Sequence, residues 1–399
     1  MVATNCSNQE ASKKDGVCAA QSMSNGPFGR FERMIPNALS VAKEAKEKGK
    51  KIAGIFCEYT PRELFFAADI LPICMCGGQE ETIAEAEKEL PANLCPLIKS
   101  SYGHALLRGN PFMEMADLLV AETTCDGKKK MYELLGRDRL VHVMELPQKP
   151  DEEAAFRHWL EEIKTLKTRL EGLSNIAIDD VALMNASEKM NEERALRRTI
   201  AYLAVEDPPL LSGSEILLAK SSISLIPCDL VAYKNIVDWA RTRPSPYGGR
   251  PRILLTGVPI PHGAEKVMKI LEAAGGVVVA QENCTGLKPI INDVNINGDI
   301  LGSLARHYLE IPCTCMTPNQ RRIDLLSRLI EDFRPDGVVE LIWQACHTFN
   351  VESDLIRREA QVRWKIPYLK LETDYSPSDQ AQLTVRVEAF LELCRANKG

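Results

Sequence analysis

The feature that most constrains the fold is an alternation of short apolar runs with longer amphipathic runs, which occurs twice along the 399-residue chain. In the first half, the runs KKIAGIFC, LPICMC and ADLLVAETTC have the length and composition of buried strands. The run PRELFFAAD, between the first two of these strands, has the pattern of a helix that begins near Pro61. Alternating strands and helices are typical of a parallel sheet covered on both faces. The sequence therefore predicts an N-terminal α/β domain over residues 31–150.

The same alternation returns in the last third of the chain. The runs RILLTG, VVVAQENC, DGVVELIWQAC and IPYLKLETD are predicted strands, and AEKVMKILEAAGG and DLLSRLIEDF are predicted helices. Gly275 follows the first of these helices, in the position where glycine commonly ends a helix. This pattern predicts a C-terminal α/β domain over residues 246–399.

Between these two regions the strand pattern disappears. Phe156, Trp159, Leu160 and Ile163 follow the spacing of an amphipathic helix, and residues 151–245 are predicted to be a helical bridging region. Residues 1–30 are rich in Ser, Asn, Lys and Gly and are predicted to be a disordered leader. The predicted fold class is α/β, with two Rossmann-like parallel-sheet domains joined by a helical segment.

Charge and hydropathy exclude several functions. The net charge of −6 argues against nucleic acid as the main partner, because nucleic-acid binding needs a basic surface. The sequence has no uninterrupted apolar run of about 18 residues, so no membrane span is predicted. The first residues lack the apolar core of a secretion signal, and we therefore expect a cytoplasmic protein.

The 13 cysteines are unusual for a chain of this kind. Cytoplasmic thiols are normally reduced, so a disulfide framework is not expected. Cys125, Cys284 and Cys346 lie at the predicted carboxyl ends of strands, and Cys95 immediately precedes a helix that begins with Pro96. Ligands of open α/β sheets bind at this edge, beside helix N-termini whose partial positive charge lowers the pKa of a thiol.

The spacing of the cysteines disfavours two common metal sites. The chain has no pair of C-x-x-C motifs, as a zinc ribbon would have, and no C-x-x-C-x-x-C run, as a ferredoxin would have. Thiolates from separate loops would suit an iron–sulfur cluster or zinc. A cysteine at a strand end is also a common buried packing residue, so the spacing alone leaves ligation and packing both open.

Several long motifs occur together in one order: ANLCPLIKSSYG, ADLLVAETTCDGKKKMYELL, VVAQENCTGLK, IPCTCMTPNQRR and ELIWQACHTFNVES. They resemble the 2-hydroxyacyl-CoA dehydratase superfamily, and more closely its single-chain branch, the double-cubane cluster proteins. The resemblance runs from about Lys51 to Cys394. It implies an 8Fe-9S cluster held by six thiolates of one chain, or a 4Fe-4S cluster if the chain is a dehydratase subunit.

The resemblance also implies a set of ligands. Cys95, Cys125 and Cys346 match motif cysteines directly, Cys57 and Cys284 are the next best matches, and the sixth ligand is Cys313 or Cys315. Cys76 is a reserve candidate. The cysteines outside the matching motifs are expected not to be ligands: Cys6, Cys18, Cys74, Cys228 and Cys394.

The function implied by the resemblance is that of an iron–sulfur reductase acting on a small-molecule substrate. Its electrons would come from a separate ATP-dependent activator that carries a 4Fe-4S cluster, and the chain would be a homodimer. The second hypothesis is a 2-hydroxyacyl-CoA dehydratase subunit, and the third is a non-catalytic cluster carrier or small-molecule binding protein. The discriminating feature is the number of thiolate ligands in one chain.

Smaller hypotheses concern single residues near the predicted cluster. His347 follows Cys346, and Glu372 ends a predicted strand, so both are candidate acid–base groups. A structural histidine and a helix-capping carboxylate are equally acceptable interpretations. Lys99 and the run Lys128–Lys130 are candidates to offset the charge of a cluster, although most of them fit a solvated helix face.

Overall fold

The structure is a computed structural model that describes residues 26–397. Most of the predicted leader, with Cys6 and Cys18, lies outside the described residues. Within them, Phe28 and Phe31 are buried and pack their rings against Trp239 and Tyr233 of the helical region.

The N-terminal lobe is built on a sheet of four parallel strands in the order β2-β1-β3-β4. The strands are β1 (Ile52–Ile55), β2 (Leu71–Cys74), β3 (Leu118–Glu122) and β4 (Val141–Met144). Every residue of β1 and β3 is buried, which explains why these central strands are continuous apolar runs in the sequence.

The C-terminal lobe repeats this plan with the order β6-β5-β7-β8, again all parallel. The strands are β5 (Arg252–Gly257), β6 (Val277–Gln281), β7 (Gly337–Trp343) and β8 (Tyr368–Thr373). The prediction of two Rossmann-like parallel-sheet domains is confirmed. Only β4 was not predicted among these strands; most of its residues are partly exposed.

The helices, numbered in chain order over the described residues, cover both sheets and fill the region between them. They are α1 (Gly29–Glu32), α2 (Met34–Glu47), α3 (Arg62–Ala67), α4 (Ile83–Ala86), α5 (Pro96–Leu106), α6 (Pro111–Met115), α7 (Asp126–Leu135), α8 (Glu153–Ser174), α9 (Asp180–Tyr202), α10 (Gly213–Leu218), α11 (Pro227–Thr242), α12 (Lys266–Ala273), α13 (Ile300–Leu309), α14 (Gln320–Phe333), α15 (His347–Glu359) and α16 (Gln380–Asn397). Short non-α turns are formed by Glu80–Thr82 and Ala360–Trp364.

The helical segment α8–α11 contacts both lobes. In α8, the buried side chains of Trp159 and Ile163 share one apolar cluster with Tyr59 of the first lobe and Tyr308 of the second. Ser212 caps α10 through a capping box with Glu215. The segment therefore packs between the sheets as a bridge. The predicted domain boundaries at 150 and 245 stay predictions.

Parallel sheets place all their carboxyl ends at one edge, and the loops that leave this edge carry the cysteines predicted as ligands. None of the helices in residues 26–397 combines the length and apolar composition needed to cross a membrane.

Candidate metal centre

Three of the predicted ligands are the residues that begin helices. Cys95 is the N-cap of α5, Cys125 of α7 and Cys346 of α15. Cys125 follows the end of β3 by three residues, and Cys346 follows the end of β7 in the same way. Each thiol therefore lies beside free backbone N–H groups at the positive end of a helix, where a thiolate is stabilised.

These three cysteines, called here the N-cap group, are close to one another. The thiol of Cys346 donates a hydrogen bond to Cys95, which is the main reason that the pKa of Cys95 is lowered and that of Cys346 raised. Backbone N–H groups of Leu97 and Ile98 further lower the pKa of Cys95. Cys125 interacts electrostatically with both of the other thiols. One ligand set from two lobes is thus assembled at three helix ends.

A second set, called here the loop group, consists of Cys57, Cys284 and Cys313. Cys57 follows β1, Cys284 follows β6, and Cys313 lies in the loop between α13 and α14. Their thiols interact electrostatically with one another. Burial raises the pKa of Cys57 and raises that of Cys284 to about 12. A hydrogen bond from Cys315 lowers the pKa of Cys313 to about 5.

The two groups adjoin through Cys313. This thiol interacts electrostatically with Cys125 and with Cys346 of the N-cap group as well as with its own group. Six thiols, three from each lobe, therefore converge at the facing carboxyl edges of the two sheets.

The neighbouring Cys315 has a different environment. It is buried in the apolar cluster around α8, with its sulfur 3.9 Å from the hydroxyl oxygen of Tyr59. It interacts with Cys57 and Cys313, whereas the N-cap group interacts with Cys313. The geometry thus separates the two residues of the CTC motif that the sequence could not.

The remaining described cysteines lie elsewhere. Cys74 and Cys76 line a cavity beside the loop group, and the thiol of Cys76 donates to the carbonyl of Phe56 at 3.3 Å. Cys228 is in the first turn of α11, and Cys394 is buried in α16.

Two lysines, one from each lobe, lie among the thiols. Lys128 of α7 interacts electrostatically with Cys57, and its ammonium group donates to the carbonyl of Phe56 at 3.3 Å. Burial lowers the pKa of Lys128, but Tyr132 and the surrounding thiols outweigh it, so the pKa is raised overall. The neighbouring lysines of α7 point outward, because Lys129 pairs with Asp126 and is exposed.

Lys288 is the second of these lysines and is fully buried 3.0 Å from the carboxylate of Glu282. Burial lowers its pKa, whereas Glu282 and Cys284 outweigh this effect and raise it. The candidate Lys99 is instead committed to an ion pair with Glu87 at 2.7 Å. Positive charge is therefore buried on both sides of the loop group.

The donor set fits a multi-iron cluster better than a single ion. Among residues 26–397, no group of three or more His, Cys, Asp or Glu side chains is compact enough to hold one metal ion. Thiolates on one tetrahedral zinc would be only about 3.8 Å apart, since each zinc–sulfur bond is about 2.3 Å. The thiolates of a cubane bind different irons and are further apart. An all-thiolate set with buried cations has the chemistry that such a cluster requires.

The two predicted acid–base residues lie outside this centre's walls. His347 is exposed in the first turn of α15. Glu372 is exposed near the end of β8 and accepts a hydrogen bond from Asn350 at 3.1 Å. Neither residue lines the cavity beside the loop group, and their assignment as proton donors stays a prediction.

A cavity of about 180 Å³, called here the interlobe cavity, opens beside the loop group. Its thiol wall contains Cys57 and Cys284, and its opposite wall contains residues of the helical segment. The charged residues that line it are Glu58, Arg62, Lys128, Arg197, Lys220 and His262. A cluster bound by the six thiols would therefore adjoin a small enclosed space.

Sequence reasoning missed Lys288, Arg197 and Lys220. Lys288 follows Cys284 by four residues, which is a detectable signal in a turn after a strand. Arg197 and Lys220 belong to the helical segment and have no motif around them, so nothing in the sequence links them to the cysteines.

Comparisons with known proteins agree with this arrangement. Residues 57–394 match a sequence model of the family described as 2-hydroxyglutaryl-CoA dehydratase, D-component. The chain is 42% identical to the putative dehydratase subunit YjiM of Escherichia coli, over 92% of this chain and 97% of that protein. It is 22% identical to the (R)-phenyllactyl-CoA dehydratase beta subunit of Clostridium sporogenes, over 92% and 98% of the two chains.

A further relative is a benzoyl-CoA reductase subunit from Thauera aromatica, which is 21% identical over 90% of this chain and 94% of that protein. The family match covers most of the chain, including all six converging cysteines. The resemblance to the 2-hydroxyacyl-CoA dehydratase superfamily is confirmed, and the chain belongs to the 2-hydroxyglutaryl-CoA dehydratase D-component family.

Proposed function

We propose that this chain is a cytoplasmic iron–sulfur reductase with a double-cubane 8Fe-9S cluster, which reduces a small-molecule substrate. The observation that carries the proposal is the convergence of two three-thiol groups from the two lobes of a single chain. The names of its relatives, which are dehydratase and reductase subunits, support an enzyme of this general class.

The residues that would hold the cluster follow from the two groups. The N-cap group would hold one cubane, through Cys95, Cys125 and Cys346. The loop group would hold the other, and Cys313 is proposed as its third ligand because it interacts with both groups, whereas Cys315 is buried against Tyr59. When bound, such a cluster supplies electrons singly at low potential and can store more than one.

The protein's own groups would tune this chemistry. Lys128 and Lys288 stabilise negative charge at the thiols, because each is a buried cation beside the loop group. Phe56 and Leu97 line the interlobe cavity and exclude water from it. His347 and Glu372 are retained as predicted proton donors.

The proposed electron donor is a separate ATP-dependent activator that carries a 4Fe-4S cluster, and the proposed assembly is a homodimer. The substrate gains two electrons from this donor and two protons from solvent or from acidic side chains. The relatives are named as subunits, which supports function within an assembly.

Iron and sulfide analysis of anaerobically purified protein tests the ligand count. We expect about eight irons per chain, whereas a single cubane would give about four. Cys125→Ala and Cys284→Ala each remove one proposed ligand, and both should lower the iron content. Cys394→Ala is the matched control, because that cysteine is buried in α16 and should leave the iron content unchanged. About four irons per chain would contradict the double-cubane proposal.

The choice between the two residues of the CTC motif has its own test. We expect Cys313→Ala to lose iron and to change the electron paramagnetic resonance spectrum of the reduced protein. Cys315→Ala should retain the iron, since that residue is proposed to be a packing residue. The opposite result would exchange their roles.

The alternative function is that of a 2-hydroxyacyl-CoA dehydratase subunit with one 4Fe-4S cluster, supported by the dehydratase subunits among the relatives. The two functions differ in their electron balance. A reductase consumes two electrons for each product molecule, whereas a dehydratase returns its electron after eliminating water. Measuring electrons consumed per turnover distinguishes them.

A further inference from the structure

The interlobe cavity has an unusual balance of charge. Four of its lining residues are cationic, namely Arg62, Lys128, Arg197 and Lys220, and Glu58 is its one lining carboxylate. Glu58 is already paired with Arg62 at 3.0 Å. Like charges gathered in a partly buried space destabilise the protein unless an anion compensates them. The cavity therefore has an excess of positive charge.

Two hydrogen-bond donors on its wall have no partner. Within residues 26–397, the guanidinium group of Arg197 makes no hydrogen bond and no ion pair, although Glu193 lies near enough to interact electrostatically. The hydroxyl of Ser222 is buried and has no hydrogen-bond partner in the same part of the chain. A buried polar group without a partner costs free energy, so a ligand that satisfies it gains affinity.

Lys220 connects these donors to the thiol wall. Its ammonium group donates to the carbonyl of Ile260 at 2.9 Å and retains further donor capacity. Lys220 interacts electrostatically with Arg197 on one side and with Cys76 on the other, and Glu265 also faces it. Cys76 in turn interacts with Cys57 of the loop group. The cationic wall is thus adjacent to the proposed cluster.

The rest of the lining is apolar. Ile55, Phe56, Leu97, Pro259 and Pro261 surround the space between the cations and the thiols. Apolar surface favours a hydrocarbon chain, and its volume of about 180 Å³ suits a molecule of a few carbon atoms.

We infer that the interlobe cavity binds a small organic acid, with the carboxylate at Arg197, Lys220 and Ser222 and the hydrocarbon directed to Cys57 and Cys284. This inference rests on the proposed function, for which it names the substrate class. The substrate would be a free carboxylate. A CoA thioester has no negative charge at its acyl end, so its acyl group would leave the cationic wall uncompensated.

Calorimetric titration of the anaerobically purified full-length protein tests this inference with butanoate as the probe. Butanoate is saturated, so its binding is measured without any reduction. We expect it to bind at least tenfold more tightly than butanamide, which has nearly the same shape but no charge. Equal affinities for the two compounds would overturn the inference, and so would the absence of butanoate binding.

Two variants locate the bound carboxylate. Arg197→Gln and Lys220→Met should each weaken butanoate binding at least tenfold. The matched controls Arg241→Gln and Lys234→Met remove exposed cations of α11 and should leave binding unchanged. Unchanged binding in both cavity variants would overturn the assignment.

Two further ligands separate other sources of the signal. Inorganic phosphate that binds as tightly as butanoate would indicate an anion site with no use for the hydrocarbon, against the inference. Butanoyl-CoA that binds tightly and equally to the protein and to Arg197→Gln would indicate a thioester site, also against it. The iron content is measured on the same samples, so loss of the cluster proposal and loss of the cavity inference are distinguished.

Discussion

At the scale of single residues, the most informative side chain is Lys128. It is the third residue of α7, whose N-cap is Cys125, and it interacts with thiols of both groups. Its neighbours Lys129 and Lys130 are exposed and pair with Asp126 and Glu133. One lysine of a run of three is therefore directed inward by the position of the helix start, which the run itself does not reveal.

Replacing Lys128 should change the electronic properties of the proposed cluster. Lys128→Met removes one positive charge near the thiols, which makes addition of an electron less favourable. We expect the reduction potential to fall by on the order of 100 mV, because a charge a few ångströms away at an effective dielectric constant near 20 is worth a few kcal/mol. Redox titration followed by electron paramagnetic resonance measures this change.

Lys129→Met is the matched control for that experiment. It removes the same charge from the same helix, but at an exposed position where solvent screens it. Equal potentials for the Lys128 variant and the control would show that Lys128 does not act on the cluster.

At the scale of the secondary-structure elements, the strands that carry the candidate site were predictable and its assembly was not. β1, β3, β5, β6 and β7 are buried on both faces, so their sequences are continuous apolar runs. Cys95 was predictable as a helix start, because Pro96 follows it. The short strand β4 escaped prediction, since three of its four residues are partly exposed or exposed.

The pairing of the six thiols escaped prediction for a different reason. Cys284 and Cys313 are separated by a helix, and their approach to Cys57 depends on how the two lobes pack. Local pattern contains no information about that packing. The ligand identities in the sequence analysis therefore depended on the family resemblance, and the division into two groups depended on the structure.

The position of α5, which carries Cys95, depends on Gly103. A β-carbon at this position would lie 1.9 Å from the backbone oxygen of Thr82. The backbone cannot yield as a side-chain tip can, so Gly103→Ala should separate the helix from the turn at Glu80–Thr82. We expect a loss of about 1–3 kcal/mol in the free energy of unfolding, measured with urea.

Gly136→Ala is the control for this substitution. Gly136 follows α7 with a helical backbone, and a β-carbon there would approach nearby carbonyl oxygens no closer than 3.4 Å. Its stability should change by less than about 1 kcal/mol. If Gly103→Ala were equally well tolerated, the close contact would not position α5.

At the scale of the whole molecule, one buried ionic network joins the two lobes and the bridge. Arg194 of α9 contacts Glu63 of α3 at 2.6 Å, and Tyr308 of α13 donates to the same carboxylate at 2.7 Å. Because the thiol groups draw ligands from both lobes, any contact that fixes the lobes relative to each other also fixes the candidate site.

Removing one member of this network should destabilise the molecule strongly. Arg194→Met leaves the buried carboxylate of Glu63 without its cation, and we expect a loss of about 3–5 kcal/mol in the free energy of unfolding. Arg198→Met, on the same helix, breaks a more exposed pair with Asp293 and should cost about 1 kcal/mol or less. Similar losses for the two variants would contradict a special role for the buried network.

The same network predicts a dependence of stability on pH. Burial raises the pKa of Glu63, but Arg194 and Tyr308 outweigh it, so the pKa is lowered overall. A carboxylate with a lowered pKa contributes stability above its unfolded pKa of about 4.3, and this contribution is lost as the pH falls through the folded value. Glu63→Gln lacks the titrating group, so its deficit relative to the unmodified protein should be largest near pH 7. Urea unfolding at a series of pH values should show this deficit narrowing below about pH 4.3, whereas a deficit that stayed constant would mean that the charge of Glu63 does not hold the lobes together.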